Sequence, residues 1–462
     1  MSRTSPVVRP VHSPAHEPIR EPAHEPVQAS ASGPVHPPSR QAAARPARQP
    51  ALREHNLALV LGHVADSGPV SRARIAAATG LTKASVSSLV ETLLEARLLA
   101  ELGPDAVPAR LAGAGRPGSA LGLDPRGPVG IGVELNVDYV SLCGVDLAGA
   151  VRTRETVVGD LRGLPVPAAL DRAAGVLRRA VAELGRAGAS ARTGGGRVVG
   201  VTVAVPGLVE TGSGEVRVAP NLGWRDVPVL DELRVRAGLP PGLDLLLDNE
   251  ANLAALAEFW RGGHTDGGAH ALDTFVYVSG EVGVGAGVVL HGELLRGRHG
   301  FAGEIGHLPV PGADARCGCG SRGCLEQVAG QDAILRAAGV AAPAPGWAVD
   351  GAGGADAVAA AAAAGDARAL AAIGAAGAAL GTTLAGVLNL LDIDTVVLGG
   401  GYARLAPWLG PRVTAELRGR VLAVGAREVR VLAGRLGPGA ATLGAALSVV
   451  RRVIAHPSGV LG

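Results

Sequence analysis

The stretch Phe301–Glu326 reads FAGEIGHLPVPGADARCGCGSRGCLE and carries three of the four cysteines of a 462-residue chain: Cys317, Cys319 and Cys324. Three thiols within eight residues of a cysteine-poor chain do not make a disulfide framework; their spacing is that of metal ligands. The intervening glycines let the backbone wrap, so the sulfurs reach three corners of the tetrahedron that zinc prefers. A reactive cysteine is the competing reading of such thiols, and the clustering favours the metal. His307, ten positions before Cys317, is the best fourth ligand, with His299 and His291 behind it. A Cys3His set fills the coordination sphere, so the expectation is one structural zinc per chain rather than a water-activating centre. Glu304 and Glu326 flank the set. Near a cation they stay ionised and can accept hydrogen bonds from sugar hydroxyls.

Outward from this stretch, short Val-rich runs alternate with Ala/Leu runs of helical period. Strands are expected at Val129–Val133, Val140–Val145, Val198–Val205, Leu243–Leu247, Phe275–Val278, Ala286–Leu290 and Thr395–Leu398. Helices are expected at about Ala168–Leu184, Asn252–Arg261 and, as one long region, Ala355–Leu391. Such alternation specifies α/β sheets, and the length accommodates two lobes with a cleft between them. Asp248-Asn249-Glu250-Ala251-Asn252 follows a strand and opens a helix, where an amide and a carboxylate can converge on a hydroxylated ligand, although Asp and Asn are also good helix caps. The turn-like segments around Gly207 and Asn221 can line the same cleft, while the glycine runs Gly283–Gly287 and Gly399–Gly401 resemble nucleotide-cradling turns.

At ~100–200 residues per domain the chain holds two to four units. It carries 43 basic and 41 acidic residues, net +2. No global basic field exists, which excludes a histone-like coat and leaves nucleic-acid contact to a local patch. Hydrophobic residues make up 47% and aromatics 2%, so the core must be built from Ala, Val and Leu. No run of ~18 apolar residues free of charge or glycine stands out, and the N-terminus has no apolar signal region. A cytoplasmic protein with no membrane partner is expected. Residues 1–50 repeat Pro/Ala/His/Arg units that bury too little apolar surface to offset chain entropy, and disorder is expected there.

From Leu52 the texture becomes helical. Leu57, Val60, Leu61 and Val64 share a face, Ser71 is placed to cap a helix at Arg72–Thr79, Gly80 makes a turn, and Thr82 caps a segment reaching about Ala96. Ile75, Ala76, Gly80, Leu81, Val86 and Leu89 fit the constrained positions of a helix-turn-helix. The second helix exposes Thr82, Lys83, Ser85 and Ser87, short donors and the chain's only lysine, with Arg72 and Arg74 on the helix before it. A strand–loop–strand wing follows, and its Arg116 is placed to enter a minor groove. Residues 51–120 hold seven cations against six acids, so DNA affinity must rest on placement and on dimerisation.

Three stretches, Glu281–His307, Cys317–Glu326 and Asp248–Glu258, resemble the ROK family of bacterial sugar kinases and sugar-responsive repressors. A winged helix ahead of such a domain is similar to the repressor branch. The resemblance implies a two-lobed α/β sugar-kinase-like domain of actin/hexokinase type, over 126–462, behind a winged helix-turn-helix at 51–125. It implies zinc on His307, Cys317, Cys319 and Cys324, and a sugar held by Asn249, Glu250, Glu304, His307 and Glu326. Two departures oppose kinase activity. Family kinases carry an Asp-x-Gly-Gly-Thr phosphate loop where this chain reads Glu134-Leu135-Asn136-Val137-Asp138, and a catalytic Asp where it has Glu250. Without the glycine pair the backbone cannot approach a phosphate closely, and Asp138 repels one. The expectation is therefore a repressor, homodimeric or homotetrameric, with operator DNA and a sugar or sugar phosphate as partners; Arg296 and Arg298 are available to meet a phosphate. A sugar kinase with an appended DNA-binding domain is the alternative.

Overall fold

The computed structural model describes residues 49–103, 120–189, 196–265, 271–341, 353–425 and 427–461. The expected N-terminal tail and Arg116 lie outside them, apart from the last residues before Ala51.

Helix α1 (Gln49–Ser67) buries Leu57, Val60, Leu61 and Val64, the i, i+3, i+4, i+7 face. Ser71 Oγ accepts from the Arg74 amide and caps α2 (Arg72–Thr79). Gly80 ends α2 at φ 72°, in the left-handed region where a side chain is costly, and its amide donates to the Ala76 carbonyl. Thr82 caps α3 (Lys83–Glu95) through the Ser85 amide at 3.1 Å. Strands β1 (Leu99–Leu102) and β2 (Ala120–Leu123) pair antiparallel, Leu99 opposite Leu123, and form the base of the wing. The winged helix-turn-helix layout expected from the sequence is therefore present. Its core joins Ile75, Val86, Val90, Leu93 and Leu121, but it also takes in Leu147, Val450, Val453 and Ile454 from far outside residues 51–125.

The first lobe contains β3 (Val129–Leu135), β4 (Tyr139–Asp146), β5 (Val151–Val158), α4 (Val166–Ala189), β6 (Val198–Val205), β7 (Leu208–Glu210), β8 (Glu215–Ala219), β9 (Trp224–Val227), α5 (Val229–Ala237), β10 (Asp244–Asn249) and α6 (Glu250–Arg261). Its sheet runs β10-β6-β3-β4-β5, with β7-β8-β9 as a small separate sheet. Strand β3 is parallel to β6 and antiparallel to β4 and is buried along its whole length; it alternates branched residues with Gly130, Gly132 and Glu134, and the two glycines admit α12.

The second lobe contains β11 (Phe275–Gly280), β12 (Val284–Leu290), β13 (Glu293–Leu294), α7 (Glu326–Ala329), α8 (Gln331–Ala338), α9 (Gly354–Ala363), α10 (Ala367–Leu391), β14 (Thr395–Gly400), α11 (Gly401–Arg420), β15 (Arg430–Ala433) and α12 (Ala440–Ala455). Its sheet runs β13-β12-β11-β14-β15. The Ala-rich region expected as one helix is two: Gly365 adopts φ 80°, and Asp366 starts α10 by accepting from the Ala369 amide. By length and composition α10 is apolar enough to cross a membrane, a run the sequence reading passed over; here half of it is buried against the rest of the lobe.

Helices α6 and α12 lie where the lobes meet, with Leu253, Ala440 and Ala445 packing against Ala204 of one sheet and Tyr277 and Val289 of the other. Helix α12 sits directly on β3: a Cβ at Gly132 would fall 2.1 Å from the Thr442 carbonyl oxygen. One end of α12 therefore touches the central strand of the first lobe, while Val450, Val453 and Ile454 enter the winged-helix core.

Candidate functional site

On the winged helix, Thr82, Lys83, Ser85 and Arg74 are exposed, and Ser87 is half-buried. The Thr82 and Ser85 hydroxyls lie 2.8 Å apart and engage each other. Arg72 is half-buried and donates to Glu101 of β1 at 2.9 Å, bracing α2 against the wing. Of the expected contact residues, Arg72 is therefore committed to an internal partner, while Lys83 and Arg74 present charge outward.

The metal-ligand set assembles as the spacing requires. His307 ends a short 3-10 turn, Ile305–His307. The ribbon that follows is pinned by bridges between Pro309 and Cys324 and between Arg316 and Arg322, and by an Arg322–Asp314 ion pair at 2.6 Å. Cys319 Sγ and Cys324 Sγ are 3.7 Å apart, Cys317 Sγ and His307 Nδ1 are 3.7 Å apart, and all four ligand atoms lie within 4.8 Å of one another. With zinc–sulfur bonds of ~2.3 Å, a tetrahedron has sulfur–sulfur edges of ~3.8 Å, so the cluster has the dimensions to hold such an ion. His299 and His291 are not part of it. The fourth cysteine, Cys143, is buried in β4, where burial pushes its thiol up.

The sugar candidates form a chain of neighbours around this cluster. Asn249 Nδ2 donates to the Gly207 carbonyl at 3.0 Å, while Asn249 Oδ1 accepts from the Ala251 and Asn252 amides and caps α6. Its side chain is thus occupied by the turn it holds. Glu250 is the first residue of α6. His307 Nε2 is 3.8 Å from Glu304 Oε2, and His307 Nδ1 is 3.9 Å from Glu326 Oε1, which accepts from Cys317 Sγ at 2.8 Å. A Cβ at Gly283 would meet Glu326 Oε2 at 2.7 Å and Asn221 Nδ2 at 3.1 Å, which places Asn221 beside Glu326. The candidates therefore fall into two groups, Gly207, Asn249 and Glu250 on one side and Asn221, Glu304, His307 and Glu326 on the other, with Glu304 raising the pKa of Glu250 across them. Arg296 donates to Asp248 Oδ2 at 2.7 Å and so is already paired.

Sequence reasoning did not anticipate the polar hub beside them. Glu134 is buried and accepts from Asn136 Nδ2 at 3.1 Å, Tyr139 Oη at 2.6 Å and Thr442 Oγ1 at 2.6 Å. Burial raises its pKa against the opposing effect of these three donors, and Asp138 adds to the rise. Glu281, in the turn between β11 and β12, is pushed up to about 8 by burial and by Glu134 and Asp138. Burial also drives Glu250 well above the carboxylate range, with Glu134, Glu281 and Glu304 contributing.

The sequence pattern described as the ROK family matches residues 130–452. The chain belongs to the ROK family. A pattern of the MarR family matches residues 58–110, over the winged helix. Among curated relatives, the xylose repressor of Caldicellulosiruptor bescii is 32% identical over 289 residues, spanning 62% of this ROK protein and 66% of the repressor. Among solved structures, a ROK family transcriptional regulator described as a homolog of the E. coli MLC protein aligns with TM-score 0.67 at 27% identity, over 89% of this chain and 98% of that one. A ROK family glucokinase from Streptomyces griseus, in complex with glucose and AMPPNP, aligns with TM-score 0.55 at 26% identity, over 70% of this chain and 99% of the kinase. The kinase thus matches the ROK domain, while the regulator's match extends over most of the chain.

Proposed function

We propose that this ROK protein is a sugar-responsive transcriptional repressor: the winged helix binds operator DNA, and a sugar in the cleft shifts the balance between DNA-binding and released states. The observation that carries this reading is the continuity of α12, which packs Val453 and Ile454 into the winged-helix core and holds Glu134 through Thr442 at its other end. A ligand moves such an equilibrium only if it prefers one state, and a helix touching both sites gives that preference a route. In a homodimer, a change in lobe closure alters the spacing of two winged helices and therefore the fit to two half-sites. The similarity to the xylose repressor and to the ROK regulator supports the same function.

His307, Cys317, Cys319 and Cys324 would hold a structural zinc, which when bound supplies a cross-link between the Ile305–His307 turn and the cysteine ribbon. The chain's own residues then do the binding. Ligation through His307 Nδ1 leaves Nε2 facing Glu304, and Glu326, adjacent to Cys317, faces Asn221.

A binding rather than phosphoryl-transfer role is supported by the Glu134–Asp138 segment. Glu134, Asn136, Val137 and Asp138 are all buried, and Asn136 and Tyr139 fold back onto Glu134. The backbone amides of Asn136 and Val137 already donate to the Tyr139 carbonyl and to Asn136 Oδ1, and the segment adds negative charge where a phosphate would need donors. Thermal-shift measurements on the full chain test this directly, because a ligand that binds only the folded state raises the midpoint. A sugar is expected to raise it and ATP to leave it unchanged; sugar-dependent release of ADP from ATP would establish the kinase reading instead.

A further inference from the structure

Carboxylates from three separated segments are neighbours here: a Cβ at Gly285 would stand 3.0 Å from Ala251 Cβ and 3.3 Å from Ser279 Oγ, which sets the first turn of α6 against the end of β11, and Glu134 and Glu281 each push up the pKa of Glu250. Glu134 and Asp138 bracket the turn after β3, Glu250 opens α6, and Glu281 lies between β11 and β12, with its Oε1 2.5 Å from where a Cβ on Gly400 would stand. Among the described residues no salt bridge reaches Glu134, Glu250 or Glu281. Arg296 is paired with Asp248, and Arg162 interacts with Asp138. Glu134 is held by neutral donors only. Glu250 Oε2 is shut off from solvent and has no hydrogen-bond partner among the described residues, so a buried acceptor is left unanswered within the cluster. The N-terminus of α6 offsets part of one negative charge, about half an elementary charge at most, and several carboxylates share the site.

Leaving a buried polar atom unpaired is costly, and more so for a charged group. Like charges this close also oppose one another's ionisation. Either protons or a cation must offset the charge. The raised pKa values of Glu250 and Glu281 describe the first case, in the absence of ligand. An ammonium group describes the second: it brings three donors and one positive charge. A phosphorylated sugar meets the opposite situation, since its dianion would enter a field of carboxylates.

We propose that the effector is a cationic amino sugar, its hydroxyls held on the Glu304–His307–Glu326 side and its ammonium between Glu250 and Glu281. This rests on the reading of the cleft as a sugar site and narrows it to a ligand class. The ammonium donates to Glu250 Oε2, which no group among the described residues satisfies, and to the Glu281 carboxylate.

Isothermal titration of the full chain with matched pairs tests the proposal: glucosamine against glucose, galactosamine against galactose, mannosamine against mannose, and 6-amino-6-deoxyglucose against glucose, with magnesium and calcium chloride as separate arms. At least one amino sugar is expected to bind tenfold or more tightly than its neutral partner, and Glu281→Gln and Glu250→Gln should each shrink that ratio by threefold or more. A neutral sugar binding as tightly as its amino partner overturns the proposal while leaving the sugar site standing. Binding of magnesium or calcium with no preference for amino sugars overturns it in favour of a metal. Absence of any sugar binding overturns both it and the reading on which it rests. Should one variant fail to fold, the other still reports the ratio.

Discussion

Thr442 Oγ1 donates a 2.6 Å hydrogen bond to Glu134 Oε2, and both residues are buried. They are 308 positions apart in sequence, yet this contact ties the first turn of α12 to the cleft end of β3. Glu134 accepts three hydrogen bonds, so its position is set by α12 as much as by its own turn. The same helix runs on to Ile454 in the winged-helix core, so the proposed coupling predicts that a change in charge or contact at this carboxylate is passed along it.

Thr442→Val should therefore separate binding from response. Loss of a hydrogen bond to a buried carboxylate costs ~1–3 kcal/mol, measurable by denaturant unfolding. Sugar affinity and DNA affinity measured separately should change little beyond that, whereas the effect of sugar on DNA affinity should fall severalfold. An unaltered sugar effect on DNA affinity would show that α12 does not carry the coupling through this bond.

Lys83→Ala and Arg74→Ala should each weaken DNA binding without unfolding the domain, because both side chains are exposed and cap nothing. If Lys83 contacts a phosphate, the slope of log affinity against log salt should become shallower by about 0.9. Arg72→Ala removes only a partly exposed ion pair with Glu101, worth ~0–1 kcal/mol, and should perturb the wing more than phosphate binding. Fluorescence anisotropy over a salt series distinguishes these outcomes.

Metal analysis of the purified chain should find about one zinc per chain, the number one Cys3His set holds. Cys319→Ser or a strong chelator should lower the melting midpoint by several degrees, since a ligand bound only to the folded state stabilises it. A metal-free protein with an unchanged midpoint would remove the zinc from the account.

Glu281 gives stability a defined pH dependence. Its pKa is about 8 when folded, raised by burial and by Glu134 and Asp138 from an ordinary value of 4.5. Below 4.5 both folded and unfolded states are protonated there and nothing is lost. Between 4.5 and about 8 the unfolded chain releases a proton that the folded chain retains, so this component of stability declines as pH rises. Glu281→Gln should flatten the decline, seen by urea unfolding at pH 5, 6.5 and 8. Parallel curves for the two proteins would contradict the assignment.

What was legible in the sequence was local. Gly80 between capped helices, with Ile75, Val86 and Leu89 beneath, specifies the helix-turn-helix because each constraint lies within about twenty residues. The metal set was legible for the same reason: His307 and the three cysteines share one ribbon. Periodicity could not show that Gly365 and Asp366 split the Ala-rich region, because alanine favours helix on both sides and only a left-handed glycine interrupts it. Nor could it show that Asn249 spends its side chain on capping α6 and holding Gly207, or that Arg72 turns to Glu101. The hub at Glu134 was least visible. The residues at Glu134–Asp138 read as a lost phosphate loop, but their partner Thr442 arrives from the far end of the chain, and only tertiary packing joins them.

The proposed function couples a sugar to DNA within one chain. Its most direct test is to select genomic DNA fragments with the full-length protein and measure the affinity of the best fragment with and without each sugar of the panel. A sequence-specific fragment whose affinity changes tenfold or more with at least one sugar, while ATP has no effect, is the expected result. Failure to select any sequence, or a selected sequence that every sugar leaves untouched, would contradict it.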